Sequence, residues 1–259
     1  MVTDLASRVV AVTGGAGGIG QGIGEAVLEA GGLVALLDLD AGRARDAAGA
    51  IDPSGTRAMG LAADATERAS VEAALDAVHA RWGRLDGMAC NAGTIRLGPA
   101  EAIARADLDA EMAVNVAGVL LSAQAAAARM RAAGGGAIVA VASNAGKVGY
   151  PNMAGYNASK AAVISLVRSL SREWAPWGVN VNGVCPGGVD TPMLEAVADF
   201  LAPRLGADRD ALHAGMVPAQ LGRHIRPVEV GRVVAFLLSD AATIIRGQSI
   251  SVDGGDTPF

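Results

Sequence analysis

Short, near-continuously apolar runs rich in β-branched residues alternate along the chain with longer segments whose apolar positions recur every three to four residues. The runs fall at residues 8–13, 33–37, 56–61, 85–90, 137–142, 179–184 and 249–252. Runs without polar alternation predict strands covered on both faces, the mark of a parallel sheet. Between them the spacing predicts helices over 19–30, 41–50, 67–82 (Val71, Leu75, Val78 and Trp82 on one stripe), 100–131 with a break near Ala113, 153–174 and 228–239. The expected architecture is α/β: one doubly wound parallel sheet of about seven strands with helices on both faces. One stretch breaks the rhythm. Residues 191–225 carry Pro192, Pro203, Gly206, Gly215 and Pro218 and no strand pattern, and are expected to form a lid within a single domain spanning 1–259.

Composition narrows the classes. A chain of 259 residues, 51% apolar and 18% charged, suits one domain of the largest single-core size. The 35 glycines show no Gly-X-Y period, which excludes collagen, and the apolar content excludes disorder. A net charge of −5 without a basic run leaves no footprint for nucleic acid. Cys90 and Cys185 end apolar runs far apart, as buried reduced thiols do. The first residues lack a basic segment followed by an apolar core, and no run reaches the ~18 uninterrupted apolar residues of a membrane span. The expectation is a soluble, cytoplasmic protein without membrane or nucleic-acid partners.

In a doubly wound sheet, ligands bind beyond the carboxyl ends of the strands. There the sequence places its turn-forming and hydrogen-bonding residues: Thr13 to Gly20 after the first strand, Asp38-Leu39 after the second, then Asp64-Ala65, Asn91-Ala92-Gly93, Ser143-Asn144 and Pro186-Gly187. A glycine-rich turn opening a helix lets backbone N–H groups approach a pyrophosphate without Cβ clashes. The same pattern also serves as a plain structural turn, and a second register through Gly15, Gly17 and Gly20 fits equally. Asp38 adds specificity. A carboxylate there accepts hydrogen bonds from both hydroxyls of an adenine ribose and repels a 2′-phosphate, by about 4 kcal/mol at ~4 Å and an effective dielectric near 20. That points to NAD rather than NADP. Arg43 and Arg45 read as solvated helix residues.

Tyr156 and Lys160 stand at i,i+4 on one helix face, in a chain with two tyrosines and two lysines. Chance alone gives such a pair about once in 65 chains of this composition. Arginine supplies 19 of the 21 cations, yet lysine stands here, and a compact ammonium shares a proton in a way that a guanidinium does not. A tyrosine of ordinary pKa ~10 is a weak base at neutral pH, and lowering it about three units takes roughly 4 kcal/mol. A buried Lys160, with the positive charge of a nicotinamide, is expected to supply that. Tyr150 lacks a lysine four residues on and reads as a pocket wall, Lys147 as a loop lysine. His79 reads as solvent-facing, His213 and His224 fall in the variable stretch, and no spacing among the three suggests a metal site.

Over residues 7–255 this set resembles the short-chain dehydrogenase/reductase family. Its T-G-x-x-x-G-I-G is present as Thr13, Gly14, Gly18, Ile19 and Gly20, its N-A-G as Asn91, Ala92 and Gly93, and its Y-x-x-x-K as Tyr156 and Lys160. The family's serine falls at Ser143 and its helix asparagine at Asn115. Its P-G-x-x-x-T-x-M appears as Pro186, Gly187, Thr191 and Met193, and Val252-Asp253-Gly254-Gly255 matches its last strand. Cys90 replaces an asparagine that often precedes Asn91.

The resemblance implies a Rossmann-type fold and a set of roles. Tyr156 would be the general acid/base; Lys160 would depress its pKa and hold the nicotinamide ribose. Ser143 would bond the substrate oxygen, and Asn115 would anchor a water between Lys160 and solvent. Besides that pair, Gly14, Gly17, Gly18, Ile19, Gly20, Asp38, Leu39, Asp64 and Ala65 would contact NAD, as would Asn91, Ala92, Gly93, Pro186, Gly187, Val189, Thr191 and Met193. Asp64 would meet the adenine and Asn91 would mainly fix a turn. Substrate would lie among Ser143, Asn144, Tyr150, Pro151, Gly188 and residues 193–221. Small-residue faces on 112–131 and 153–174 would pair chains into a homotetramer.

The expected activity is hydride transfer between NAD(H) and a secondary alcohol or ketone, with a small polyol, sugar or hydroxy compound as substrate. Two alternatives differ in class. One is a 3-oxoacyl reductase, for which Arg129, Arg131, Arg168 and Arg172 would form a cationic patch beside the site. The other is a regulator that senses NAD without turning it over.

Overall fold

In a computed structural model, which describes residues 3–257, β1 (Val9–Thr13) pairs in parallel with β2 (Leu33–Asp38) on one side and β4 (Gly87–Cys90) on the other. With β3 (Ala58–Ala62), β5 (Gly136–Val141), β6 (Val179–Pro186) and β7 (Ser249–Val252) they form one seven-stranded parallel sheet of order β3-β2-β1-β4-β5-β6-β7. All seven expected strands form, with shifted ends that have local causes. β3 starts two residues late because the Asp52 carboxylate accepts from the Arg57 and Ala58 amides at 2.6 and 3.0 Å, holding the preceding residues in a turn. β6 runs on to Pro186 because β7 pairs with it that far. The central strands β1, β4 and β6 are buried throughout, as their unbroken apolar pattern implies. The edge strands β3 and β7 are largely half-buried, each being paired on one side only.

Alternation along each strand divides the core in two. Val9, Ala11, Leu37, Met88, Cys90 and Ile138 face α3 (Arg68–Trp82), α5 (Gly118–Ala132) and α6 (Ala154–Trp174). Val10, Val12, Leu36, Val139 and Val184 face α1 (Gly18–Glu29), α2 (Ala41–Ile51) and α9 (Pro227–Leu238). The long helix expected over 100–131 starts only at Arg105, as α4 (Arg105–Met112), and passes through a π-turn at Ala113–Ala117 into α5. The break near Ala113 is thus a widened turn within a continuous helix, of the kind that often marks a functional position. Among the described residues this run alone has the length and apolarity to cross a membrane, but half of that window is buried inside the protein, as in a core helix.

The strandless stretch after β6 is helical. Thr191 caps α7 (Pro192–Leu205) by accepting from the Leu194 amide, Pro192 preorganises its first turn, and Gly206 ends it in the left-handed region at φ 61°. Asp208 caps α8 (Arg209–Gly215) in the same way. A parallel bridge, Val189↔Ile225, ties the end of this stretch to the segment that follows β6.

Helices α1 and α9 touch backbone to backbone. A Cβ on Gly231 would lie 2.0 Å from the Gly22 carbonyl oxygen, whereas one on Gly49 of α2 would meet nothing within 4 Å. Gly231→Ala is therefore expected to lose about 3 kcal/mol of stability by forcing two helices apart. Gly49→Ala should gain about 0.5–1 kcal/mol by removing backbone freedom from the unfolded chain. Urea midpoints of the two variants, read against the parent, check both signs.

Candidate active site

A cleft of about 1280 Å³ lies along the carboxyl ends of the strands. One end is built on the turn between β1 and α1. Gly14 adopts φ 61°, and a Cβ there would strike the Ala92 backbone at 2.8 Å. Gly18 abuts the Thr191 methyl, and no side chain caps the start of α1, so its first amides are available to an anion. Gly14, Gly17, Gly18 and Ile19 line the cleft. Gly20 does not: it packs beneath the turn, where a Cβ would lie 2.2 Å from the Gly14 carbonyl oxygen, so its part is to let the turn close.

Asp38 and Leu39 form the next wall. The Asp38 carboxylate accepts from the Ala16 amide at 3.1 Å, tying the end of β2 to the glycine turn. Leu39 is 74% exposed, an apolar side chain offered to the cleft. Asp64 and Ala65 line it too, with one Asp64 oxygen engaged by the Thr66 amide and hydroxyl at 2.8 and 2.7 Å. Asn91 donates to the Thr13 and Gly14 carbonyls at 3.1 and 3.0 Å, the turn-fixing part expected of it. With Ala92 and Gly93 it forms the floor beside Pro186, Gly187 and Val189, while Thr191 and Met193 close the side. A glycine cradle, free helix amides, an apolar shelf and a carboxylate at the strand end together fit a nicotinamide dinucleotide.

The chemistry-bearing side chains meet at the far end. Tyr156 is hydrogen-bonded to Ser143, whose Oγ also accepts from the Ala145 amide at 3.1 Å. Lys160 is buried one turn beyond Tyr156 and donates from Nζ to the Val141 carbonyl at 2.9 Å, with Nζ 5.6 Å from the tyrosine ring centroid. Asn144 and Tyr150 line the cleft as expected, joined by a 2.9 Å bond from Asn144 Nδ2 to the Tyr150 hydroxyl; Gly188 lines it as well. Pro151 is exposed outside the lining. Asn115 is buried in the π-turn and does not reach the cleft; its amide clasps the Thr94 backbone at 2.8 and 2.9 Å and donates to the Ser159 hydroxyl at 2.9 Å. Its Oδ1 and Lys160 Nζ nonetheless converge on Gly93, each 3.4 Å from where a Cβ would stand.

The electrostatics depart from the expectation. Burial pushes the Tyr156 hydroxyl up to about 12, with the bond to Ser143 opposing and the buried Glu111 adding to the rise. Burial also brings Lys160 down to about 8. The side chains by themselves thus hold Tyr156 protonated, because desolvation of a phenolate outweighs the hydrogen bond with Ser143. Glu111 carries no sequence signal. Its carboxylate accepts from the Arg96 amide at 2.7 Å, and burial raises its own pKa.

Several lining residues escaped the sequence reading. Ile95, Val114, Met153 and Asp256 line the cleft from four separate segments, and Arg43 stands at the Asp38 end; none belongs to a motif. The four arginines expected to gather beside the site do not. Arg129 pairs with Asp76, Arg131 stacks on Trp177 at 4.6 Å, and Arg168 and Arg172 line a separate shallow hollow with Arg246. His79 is exposed at the end of α3, whereas His213 and His224, unremarkable in spacing, lie with ring centroids 4.5 Å apart.

Residues 14–257 match a family profile described as Enoyl-(Acyl carrier protein) reductase. The chain is 38% identical over 259 residues to 2-(S)-hydroxypropyl-CoM dehydrogenase 3 of Xanthobacter autotrophicus, covering 99% of each. It is 39% identical over 253 residues to D-threitol dehydrogenase of Mycolicibacterium smegmatis, covering 98% of this chain and 94% of that one. A crystal structure of NAD+-bound xylitol dehydrogenase superposes with a TM-score of 0.89 at 29% identity, over 97% of this chain and 99% of the other. Motifs, fold and full-length similarity agree: the chain belongs to the short-chain dehydrogenase/reductase family.

Proposed function

We propose that the protein is an NAD-dependent dehydrogenase that interconverts an uncharged secondary alcohol, a small polyol, sugar or hydroxy compound, and its ketone. The hydrogen-bonded Tyr156–Ser143 couple, facing the cleft with Lys160 buried behind it, carries this reading. A nicotinamide dinucleotide held along the glycine turn, Asp38 and Lys160 would supply or accept the hydride. Ser143 holds the substrate oxygen, and Tyr156 exchanges the hydroxyl proton with it. Lys160 presents positive charge behind the tyrosine and would hold the ribose of the dinucleotide, while Asn115 fixes the π-turn and the Thr94 backbone beside it. Asp38 supports NAD over NADP, as does the similarity to a xylitol dehydrogenase solved with NAD+. The α7–α8 stretch acts as the lid, excluding water with Val197, Leu201, Met216 and Val217. Exposed Ala158, Ala161 and Ser165 along α6 support close pairing of helices in a cytoplasmic homotetramer.

Charge at the substrate end restricts the class further. Among the described residues lining the cleft, the cations are Lys160 in the floor and Arg43 beside Asp38, while the charged residue at the substrate end is Asp256, whose carboxyl burial raises. An anionic tail finds no partner there. Oxidation by NAD is expected for neutral alcohols and polyols, with kcat/KM at least about tenfold lower for carboxylate, sulfonate or phosphate analogues of the same skeleton. A screen followed by NADH absorbance tests both parts. NADPH-linked reduction of ketoacyl thioesters alone would replace this reading with the reductase, and dinucleotide binding without turnover of any alcohol would replace it with the sensor.

A further inference from the structure

Beyond the cleft, the structure brings together three potential metal ligands from separate segments. Asp190 follows β6, His213 lies in α8, and His224 precedes the bridge at Ile225; one donor atom from each lies within 4.8 Å of the others. None of the three lines the cleft. Two of the segments are locked in register by backbone bonds, Asp190 N–H to the Ile225 carbonyl at 2.9 Å and Ile225 N–H to the Gly188 carbonyl at 3.0 Å. The third is attached through an imidazole: His224 Nε2 lies 3.1 Å from the His213 carbonyl. A carbonyl only accepts, so Nε2 carries the proton and the His224 lone pair resides on Nδ1, the tautomer that a metal ligand needs. His213 Nε2 is buried and has no hydrogen-bond partner. A desolvated imidazole nitrogen left unpaired beside a second imidazole and a carboxylate is an unmet donor set.

We infer that Asp190, His213 and His224 form a binding site for a divalent transition ion, with two imidazoles and a carboxylate as protein ligands and water completing the coordination. This donor set selects a borderline ion such as Zn2+ over Mg2+ or Ca2+, which demand oxygen. With bonds of about 2.0–2.1 Å, tetrahedral ligands stand roughly 3.3 Å apart, so any two donors, within 4.8 Å now, close by at most about 1.5 Å on binding; exposed Asp190 can rotate to do so. The ion would fasten α8 to the end of β6. Met216, directly after α8, already packs on that segment, since a Cβ on Gly188 would lie 2.4 Å from its carbonyl oxygen. Metal binding would thereby hold one wall of the cleft in place without contacting the reacting groups.

The test uses tag-free, chelator-treated full-length protein titrated with CoCl2 and ZnCl2, followed by calorimetry and by the visible d–d bands of bound Co2+. One ion per chain is expected, with a Zn2+-dependent rise in Tm. His213→Gln and His224→Gln should each weaken binding at least about tenfold, and Asp190→Asn less, since water can replace a carboxylate oxygen. Circular dichroism of the two histidine variants confirms that each folds, and either one suffices if the other does not. Absence of binding to the parent protein overturns the site, as does binding that persists unchanged in the folded histidine variants, which would place the ion elsewhere.

Discussion

Tyr156→Phe is expected to lower kcat by about 100- to 10,000-fold, the usual span of a general acid/base, with dinucleotide affinity essentially unchanged. The substitution removes one oxygen and keeps the ring. Packing survives, and what disappears is the hydroxyl that Ser143 holds at the cleft. The structure sharpens the expectation for pH. Because burial places the Tyr156 hydroxyl at about 12 and Lys160 at about 8, the side chains alone keep the tyrosine protonated near neutrality. That form suits ketone reduction. Alcohol oxidation needs the deprotonated form, so its rate should climb with pH, and the variant should lose that rising limb. Stopped-flow and steady-state rates in both directions measure this. A variant retaining parental turnover would remove Tyr156 from the chemistry, whatever the family pattern.

Asp38→Ala should move the NAD-to-NADP ratio of kcat/KM toward NADP by about tenfold to 100-fold. A like charge about 4 Å away costs about 4 kcal/mol at an effective dielectric near 20, and the half-exposed setting of Asp38 screens part of it. Arg43 lines the same end of the cleft and becomes the nearest cation for a 2′-phosphate once the carboxylate is gone. A second effect is built in. Asp38 accepts from the Ala16 amide, so the alanine variant also loosens the glycine turn and should raise KM for NAD itself. Asp38→Asn separates the two, since it drops the charge and keeps an acceptor. Unchanged ratios in both variants would move the discrimination elsewhere in the cleft.

Much of this site was legible because short motifs impose their own local geometry. A glycine-rich turn after a strand has few ways to fold, and Tyr156 and Lys160 four apart must share a helix face. Asp38 was legible by its place at a strand end. The sequence places Gly20 and Pro151 at the cleft and makes Asn115 a water anchor, because a motif supplies residue types without depth. Packing decides that Gly20 lies under the turn and that Asn115 clasps Thr94 and Ser159. Glu111, Ile95, Val114, Met153 and Asp256 had no pattern to betray them, since they arrive from four segments whose separation along the chain says nothing of their distance in space.

By itself the amino-acid order determined the seven strands, the two helical layers, the glycine turn and the Tyr156–Lys160 pair, all governed by periodicity and interactions within a few residues. Only the tertiary structure decided which way the tyrosine's acidity shifts, which arginines leave the site, and that Asp190, His213 and His224 meet. Each of those depends on desolvation or on contacts between distant segments, and neither exists until the chain has folded and expelled its water.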